Sequence, residues 1–268
     1  MRKKVQIGIL VGALFMLFGV IVWVRQVKEH KHDLPHILHS GRLSVVTDKS
    51  SMGFTVEGDS VSGFQYEIVK AFADTLGLEL VMNEEDDLAA CVAGLNSGEY
   101  DLIANLIPVT SEWKKTVLFT NSIETSRPVL VQRATEGSIQ KKLISTQLEL
   151  ADDTIYIPLH SPYKMRLQHL SDEIADTIQI LEMENLSTEQ MVRLVSVGKL
   201  KYTICDEKFA HKLKLIYPTI DVSLPLGFEQ QQAWAVDSKS VLLLEKLNLF
   251  LKDFIGSSAF WEIYRKYN

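Results

Sequence analysis

The chain has 268 residues, 46% of them hydrophobic and 23% charged, an ordinary globular composition that excludes wholesale disorder. Its net charge of −6 is unevenly spread: of 28 basic residues, four (Arg2, Lys3, Lys4, Arg25) lie in the first 25 positions, where no acidic residue occurs, which leaves 24 basic against 34 acidic groups beyond. A body that acidic repels phosphate backbones, which argues against nucleic acid as a partner but not against a small anion held at a local positive site.

Residues 5–24 carry no charge. As a helix rising about 1.5 Å per residue they span roughly 30 Å, the hydrocarbon thickness of a bilayer. The basic cluster before them holds the short N-terminus in the cytoplasm by the positive-inside tendency. The stretch is longer than a usual signal-peptide core and ends in Val-Trp-Val-Arg rather than a small-residue cleavage site. No cysteine follows it to accept a lipid. The expectation is a retained single-pass anchor over residues 1–25 in the cytoplasmic membrane, with the remainder facing the periplasm or the cell exterior. Residues 26–40 read as a solvated spacer. His30, His32, His36 and His39 lie in it without carboxylate or thiol partners at fixed helical spacing, so no metal site is expected.

Beyond the spacer, residues 43–47 read as a buried strand and 60–63 as a turn. Apolar residues Phe64, Ile68, Ala71, Phe72 and Leu76 follow a helical period stopped by Gly77. A strand at 78–82, a helix at 87–95 closed by Asn96-Ser97-Gly98, and a strand at 100–107 complete a strand-helix alternation that predicts a parallel sheet with crossover helices. Strands are expected at 117–121 and 127–133. The pattern then restarts: strand 154–158, helix 163–169, strand 177–181, helix 187–197 stopped by Gly198, strand 202–205, helix 207–215. A strand at 232–236 and helices at 241–254 and 257–267 end the chain. Two α/β lobes follow, lobe 1 from 41–131 plus 229–268 and lobe 2 from 132–228, joined by extended crossings near 132–135 and 224–229. The ligand is expected beyond the carboxyl ends of the strands, in the cleft. Cys91 and Cys205 sit in apolar settings in different lobes and read as buried thiols.

Several segments in this order carry a resemblance. Gly63-Phe64-Gln65-Tyr66-Glu67-Ile68-Val69-Lys70-Ala71-Phe72-Ala73, Gly98-Glu99-Tyr100-Asp101-Leu102-Ile103-Ala104, Val109-Thr110-Ser111-Glu112-Trp113-Lys114-Lys115, and Gly198 to Glu207 are similar to bacterial family 3 solute-binding proteins. The nearest likeness is to the solute-binding-like N-terminal domain of membrane-bound lytic murein transglycosylase F. The resemblance implies a two-lobed fold of the periplasmic-binding-protein type II class, capture of an amino-acid-like or cell-wall-derived molecule for transport or sensing, and a membrane transporter or envelope protein as partner. The expectation includes no cofactor and no enzymatic activity, because the separate lysozyme-like catalytic domain of the transglycosylases has no counterpart in the sequence. The alternatives are a ligand-free envelope scaffold or partner protein derived from a lytic transglycosylase and, after it, an enzyme using the cleft.

In such proteins an arginine three positions after the threonine grips a ligand carboxylate bidentately. Here that position is Trp113. Its indole either stacks on a ring or sugar face, with Asn105 and Asp206 supplying hydrogen bonds, or packs on the lobe surface. Asp206 matches the aspartate that can pair a ligand amino group. Asp48, just past the first strand, either faces the cleft or caps its loop. Phe54, Thr110 and Ser161 complete the candidate set, Tyr66 is expected in the core, and Arg127 is expected at a hinge.

Overall fold

The computed structural model describes residues 33–58, 60–134 and 143–267. The anchor expected over residues 1–25 lies outside them; among the described residues no helix is long and apolar enough to cross a membrane. The expected spacer ends earlier than its composition suggested. Asp33 starts a short helix, α1 (Leu34–Ser40), with Pro35 in its first turn and Gly41 in the left-handed conformation (φ 70°) at its end. This helix buries Ile37 against lobe 1.

Lobe 1 is then built from β1 (Arg42–Thr47), the hairpin β2 (Thr55–Glu57) and β3 (Ser60–Ser62), α2 (Phe64–Leu76), β4 (Glu79–Glu84), α3 (Leu88–Ser97), β5 (Leu102–Pro108), β6 (Val117–Phe119) and β7 (Glu124–Ser126). The segment 60–63, expected as a turn, is largely the second hairpin strand. Both main helices stop where a glycine can take a positive φ, at Gly77 (65°) and Gly98 (81°). Apolar strands 42–47 and 102–108 are buried because they are central in the sheet, β1 between parallel β4 and β5 and β5 between β1 and a later strand, with α2 and α3 packed on β5.

Lobe 2 begins with β8 (Pro128–Arg133) and continues through β9 (Thr154–Pro158), α4 (Lys164–Glu173), β10 (Gln179–Met183), α5 (Thr188–Ser196), β11 (Tyr202–Asp206), α6 (Glu207–Ile216) and β12 (Ile220–Asp221). The chain returns to lobe 1 through β13 (Gln230–Asp237), α7 (Val241–Phe254) and α8 (Ser258–Tyr267). The sheet orders are β4-β1-β5-β13-β6, with β7 also on β13, and β10-β9-β11-β8-β12. Neither sheet is purely parallel, as the alternating pattern had suggested: β13 runs antiparallel to β5, and β8 antiparallel to β11. These are the two strands that arrive from the other lobe, so they enter their sheets in the opposite sense.

This pairing also moves the first crossing. Ser126 still pairs in the first sheet and Pro128 already pairs in the second, so the chain crosses at Arg127, and the expected boundary after 131 falls inside β8. The return crossing lies between Leu226 and Gln230. The two run side by side, with the Leu226 amide donating to the Pro128 carbonyl at 2.8 Å. Arg127 forks onto Glu207 Oε1 from Nε (3.0 Å) and Nη2 (2.7 Å) at this point.

Each lobe has its own apolar core, one around Phe64, Phe72 and Trp234 and the other around Leu130, Ile155 and Leu170. Cys91 and Cys205 are buried and free, one in each lobe. Burial pushes the Cys91 thiol up to about 12 and raises the Cys205 thiol well above its ordinary value, so both remain unreactive thiols.

Asp33 ties the first described helix to the last part of the lobe. Its carboxylate accepts from Leu34 N (2.8 Å) at the start of α1 and from Leu243 N (2.7 Å) and Leu242 N (3.3 Å) at the start of α7. One side chain thus satisfies orphan amides of two helices. Asp33→Ala is expected to cost about 2 kcal/mol and lower the melting temperature by roughly 4–8 °C. A scanning-calorimetry shift below 1 °C would show that water replaces the cap without loss.

Candidate functional site

The carboxyl ends of β1, β5, β9 and β11 point at one another across the gap between the lobes. They enclose a cavity of about 140 Å³. Lobe 1 contributes Asp48, Asn105 and Gln65; lobe 2 contributes Ser161, Tyr163, Glu189 and Asp206; Glu124, on β7 beside the crossing, also lines it.

The loop after β1 positions Asp48. Its backbone N–H donates to Asn105 Oδ1 (2.9 Å), which also accepts from Thr47 Oγ1 (2.8 Å), and Ser50 Oγ donates to Asp48 Oδ1 (2.6 Å). The loop folds back so tightly that a Cβ at Gly53 would lie 2.2 Å from both the backbone oxygen and Oδ1 of Asp48, so only glycine fits there. Burial pushes the Asp48 carboxyl from 3.8 up to about 6, with Asp86 and Glu189 adding like-charge repulsion against the Ser50 hydrogen bond.

Asp206 ends β11 and caps α6, its Oδ1 accepting from Lys208 N (3.0 Å) and Phe209 N (3.2 Å). The carboxyl also lies beside the Ser126 hydroxyl, and its Oδ2 is buried. Glu124 gives Oε2 to Lys208 Nζ at 3.0 Å and keeps Oε1 buried and unpartnered. Burial raises both carboxyls above the usual range. Gln65, at the start of α2, uses its Oε1 to accept from the Trp234 indole N–H at 2.6 Å, which leaves Nε2 buried and unpartnered. Burial and the charge of Asp206 keep the Tyr163 hydroxyl protonated.

The lobes touch around this cavity. His160 Nδ1 lies 2.7 Å from Asp87 Oδ2, Lys208 reaches Glu124, and Lys212 Nζ lies 3.7 Å from Met52 Sδ and 5.2 Å from the Tyr267 ring centroid. Phe209 packs against apolar clusters of both lobes. The two lobes are therefore in direct contact around the cavity.

Four residues singled out in the sequence meet at the cavity: Asp48, Asn105, Ser161 and Asp206. Phe54, Thr110 and Trp113 do not line it. Phe54 stacks obliquely on Tyr66 with ring centroids 5.4 Å apart, and Thr110 accepts from the Trp113 amide at 3.3 Å. Trp113 is half-buried in a 3₁₀ turn, packed on the cluster that includes Cys91, Val92 and Ile107. Sequence reasoning passed over Gln65, Glu124, His160, Glu189 and Phe209. Gln65 carried a signal, as a polar residue on the otherwise buried face of α2.

The family model described as bacterial extracellular solute-binding proteins, family 3, matches residues 43–268. The chain belongs to that family. Among curated relatives, the membrane-bound lytic murein transglycosylase F of Desulfosudis oleivorans is 26% identical over 247 residues, covering 92% of this chain and 53% of that protein. The chain spans about half the length of the curated relatives it matches. The fold is shared with an ancestral arginine-binding protein bound to arginine (TM-score 0.72, 20% identity, covering 85% of this chain and 98% of that one). It is shared equally with the solute receptor for L-cysteine of Neisseria gonorrhoeae (TM-score 0.74, 18% identity, 87% and 92%). Within this family 3 chain, the position where the resemblance leads one to expect an arginine is Trp113, and among the described residues no lysine or arginine lines the cavity.

Proposed function

We propose that the chain is an extracytoplasmic solute-binding protein whose lobes shut on a small amine-bearing molecule, amino-acid-like or cell-wall-derived, for delivery to a membrane transporter or for signalling to an envelope partner. The observation that carries this reading is the pair of buried polar atoms left without partners at the cavity, Gln65 Nε2 and Glu124 Oε1. Each such atom costs about 1–3 kcal/mol, a cost that a bound ligand relieves. The amino-acid class is suggested by the arginine and L-cysteine that the fold neighbours bind, and the cell-wall class by the murein named for the curated relatives. Binding rather than catalysis is the role proposed.

A thermal-shift screen of amino acids, muropeptides and aromatic metabolites tests capture. A ligand at 100 times its dissociation constant adds about 2.7 kcal/mol to stability. Stabilisation by one compound class, lost in Asp206→Ala, is the expected result; silence across the whole panel would leave the scaffold reading.

The anchor belongs to the same proposal and rests on the uncharged stretch 5–24 with its basic flank. The full chain expressed in bacteria is expected to pellet with membranes and resist a high-salt wash, and deletion of residues 1–25 to release it. Recovery of the intact full chain in the soluble fraction would remove the anchor from the proposal.

A further inference from the structure

We propose that the cleft takes a small organic cation carrying no carboxylate, an amine or guanidine whose charge is met by Glu124 and Asp206 and whose neutral acceptor is met by Gln65. The inference rests on the capture reading above and narrows it to a ligand class.

Charge is the first argument. Five carboxyl groups line the cavity, Asp48, Asp86, Glu124, Glu189 and Asp206, and among the described residues no lysine or arginine does. Two ammonium groups that reach from lobe 2 to lobe 1 already have partners, Lys208 with Glu124 Oε2 and Lys212 with Met52 Sδ and the Tyr267 ring. His160, the remaining basic group on the wall, faces Asp87. A ligand carboxylate would add negative charge to a poorly hydrated, already negative space with no cation to receive it, whereas an ammonium or guanidinium is attracted.

Hydrogen-bond bookkeeping gives the same answer independently. The Glu124 side chain is only 6% exposed, and one of its oxygens lacks a partner, whereas the Asp206 carboxyl beside it has the Ser126 hydroxyl as a neighbour. An ionised carboxylate only accepts, so the group missing opposite the free Glu124 oxygen is a donor. The donors offered in return, Gln65 Nε2 and the Tyr163 hydroxyl, are neutral. They suit a carbonyl or hydroxyl and supply no countercharge. A metal ion is the poorer occupant: among the described residues no three His, Cys, Asp or Glu side chains converge to hold one. A cavity of about 140 Å³ is close to the roughly 150 Å³ void that admits benzene, which limits the ligand to a small molecule of that order.

Titration calorimetry on the full chain in detergent tests this with three matched pairs: L-arginine against agmatine, L-cysteine against cysteamine, and L-alanine against L-alaninamide. In at least one pair the member without a carboxylate is expected to bind ten times more tightly or better. Glu124→Gln and Asp206→Asn should each weaken it at least tenfold while keeping the wild-type circular-dichroism spectrum. If either variant fails to fold, the other carries the test. A parent amino acid that binds as tightly as its partner, or more tightly, overturns the inference and leaves capture intact. No binding by any member of the three pairs also overturns it, and the broader thermal screen then decides capture separately.

Discussion

Trp234→Ala is expected to destabilise the protein by about 4 kcal/mol, the largest effect of any single substitution considered. The indole is fully buried on β13, the strand that returns to lobe 1, and its packing partners include the α2 residues that form the core. Removing it leaves a void of many atoms, which costs about 3–5 kcal/mol for Trp or Phe to Ala. It also strands Gln65 Oε1, which has only the 2.6 Å indole bond, so both polar ends of that buried amide would lack partners. At 2–4 °C per kcal/mol for a chain of this size, the melting temperature should fall by roughly 8–16 °C. Trp234→Phe keeps most of the volume and isolates the lost hydrogen bond, so its fall should be less than half as large. Equal falls for the two variants, or a fall below 3 °C for alanine, would show that the pair does not organise this wall of the cavity.

Asp48→Asn should stabilise the ligand-free protein at pH 7.5 and leave it unchanged at pH 3.5. The folded carboxyl is raised to about 6 against 3.8 in the unfolded chain. A raised acid contributes its stability while protonated, fully below 3.8, and loses it as pH climbs through 6. The separation of about two pH units corresponds to up to about 3 kcal/mol of penalty at neutral pH. Asparagine keeps an oxygen for Ser50 and never carries the charge, so it escapes the penalty. The measurement is the difference in melting temperature between the two proteins across pH 3.5 to 7.5, because the other raised carboxyls, Asp86, Glu124 and Asp206, act in both and cancel. A difference that does not vary with pH would show that Asp48 is hydrated.

Local signals made most elements legible. The apolar spacing of 64–76 and the glycine after it, or Ser187 and Gln190 bonding reciprocally at the start of α5, declare themselves within one or two turns. Pairing partners do not. Nothing within 124–126 says that it joins β13 rather than continuing into β8, and a one-residue crossing at Arg127 leaves no composition shift. The helix at 34–40 was hidden for a similar reason, since its histidines read as polar and only the distant α7 explains Asp33. At the site, Asp48 and Asp206 were visible because they lie at strand ends, where α/β sheets gather ligands. Glu124 and Gln65 acquire meaning only through Lys208 and Trp234, residues 84 and 169 positions away. Trp113 misled because an indole is equally at home on a ligand or on its own lobe, and here it packs on the latter.

The adjacent crossings restrict how the molecule can move. With Leu226 bonded to Pro128 and Arg127 clamped by Glu207, neither connecting strand can slide without dragging its neighbour, so relative motion reduces to swivelling about one line through both. Lys208 and Glu124 are chain neighbours of that pivot and would travel together through most of a swing. His160 and Asp87 come from loops unattached to it, so their contact would part first and re-form last, acting as the catch of a book clasp.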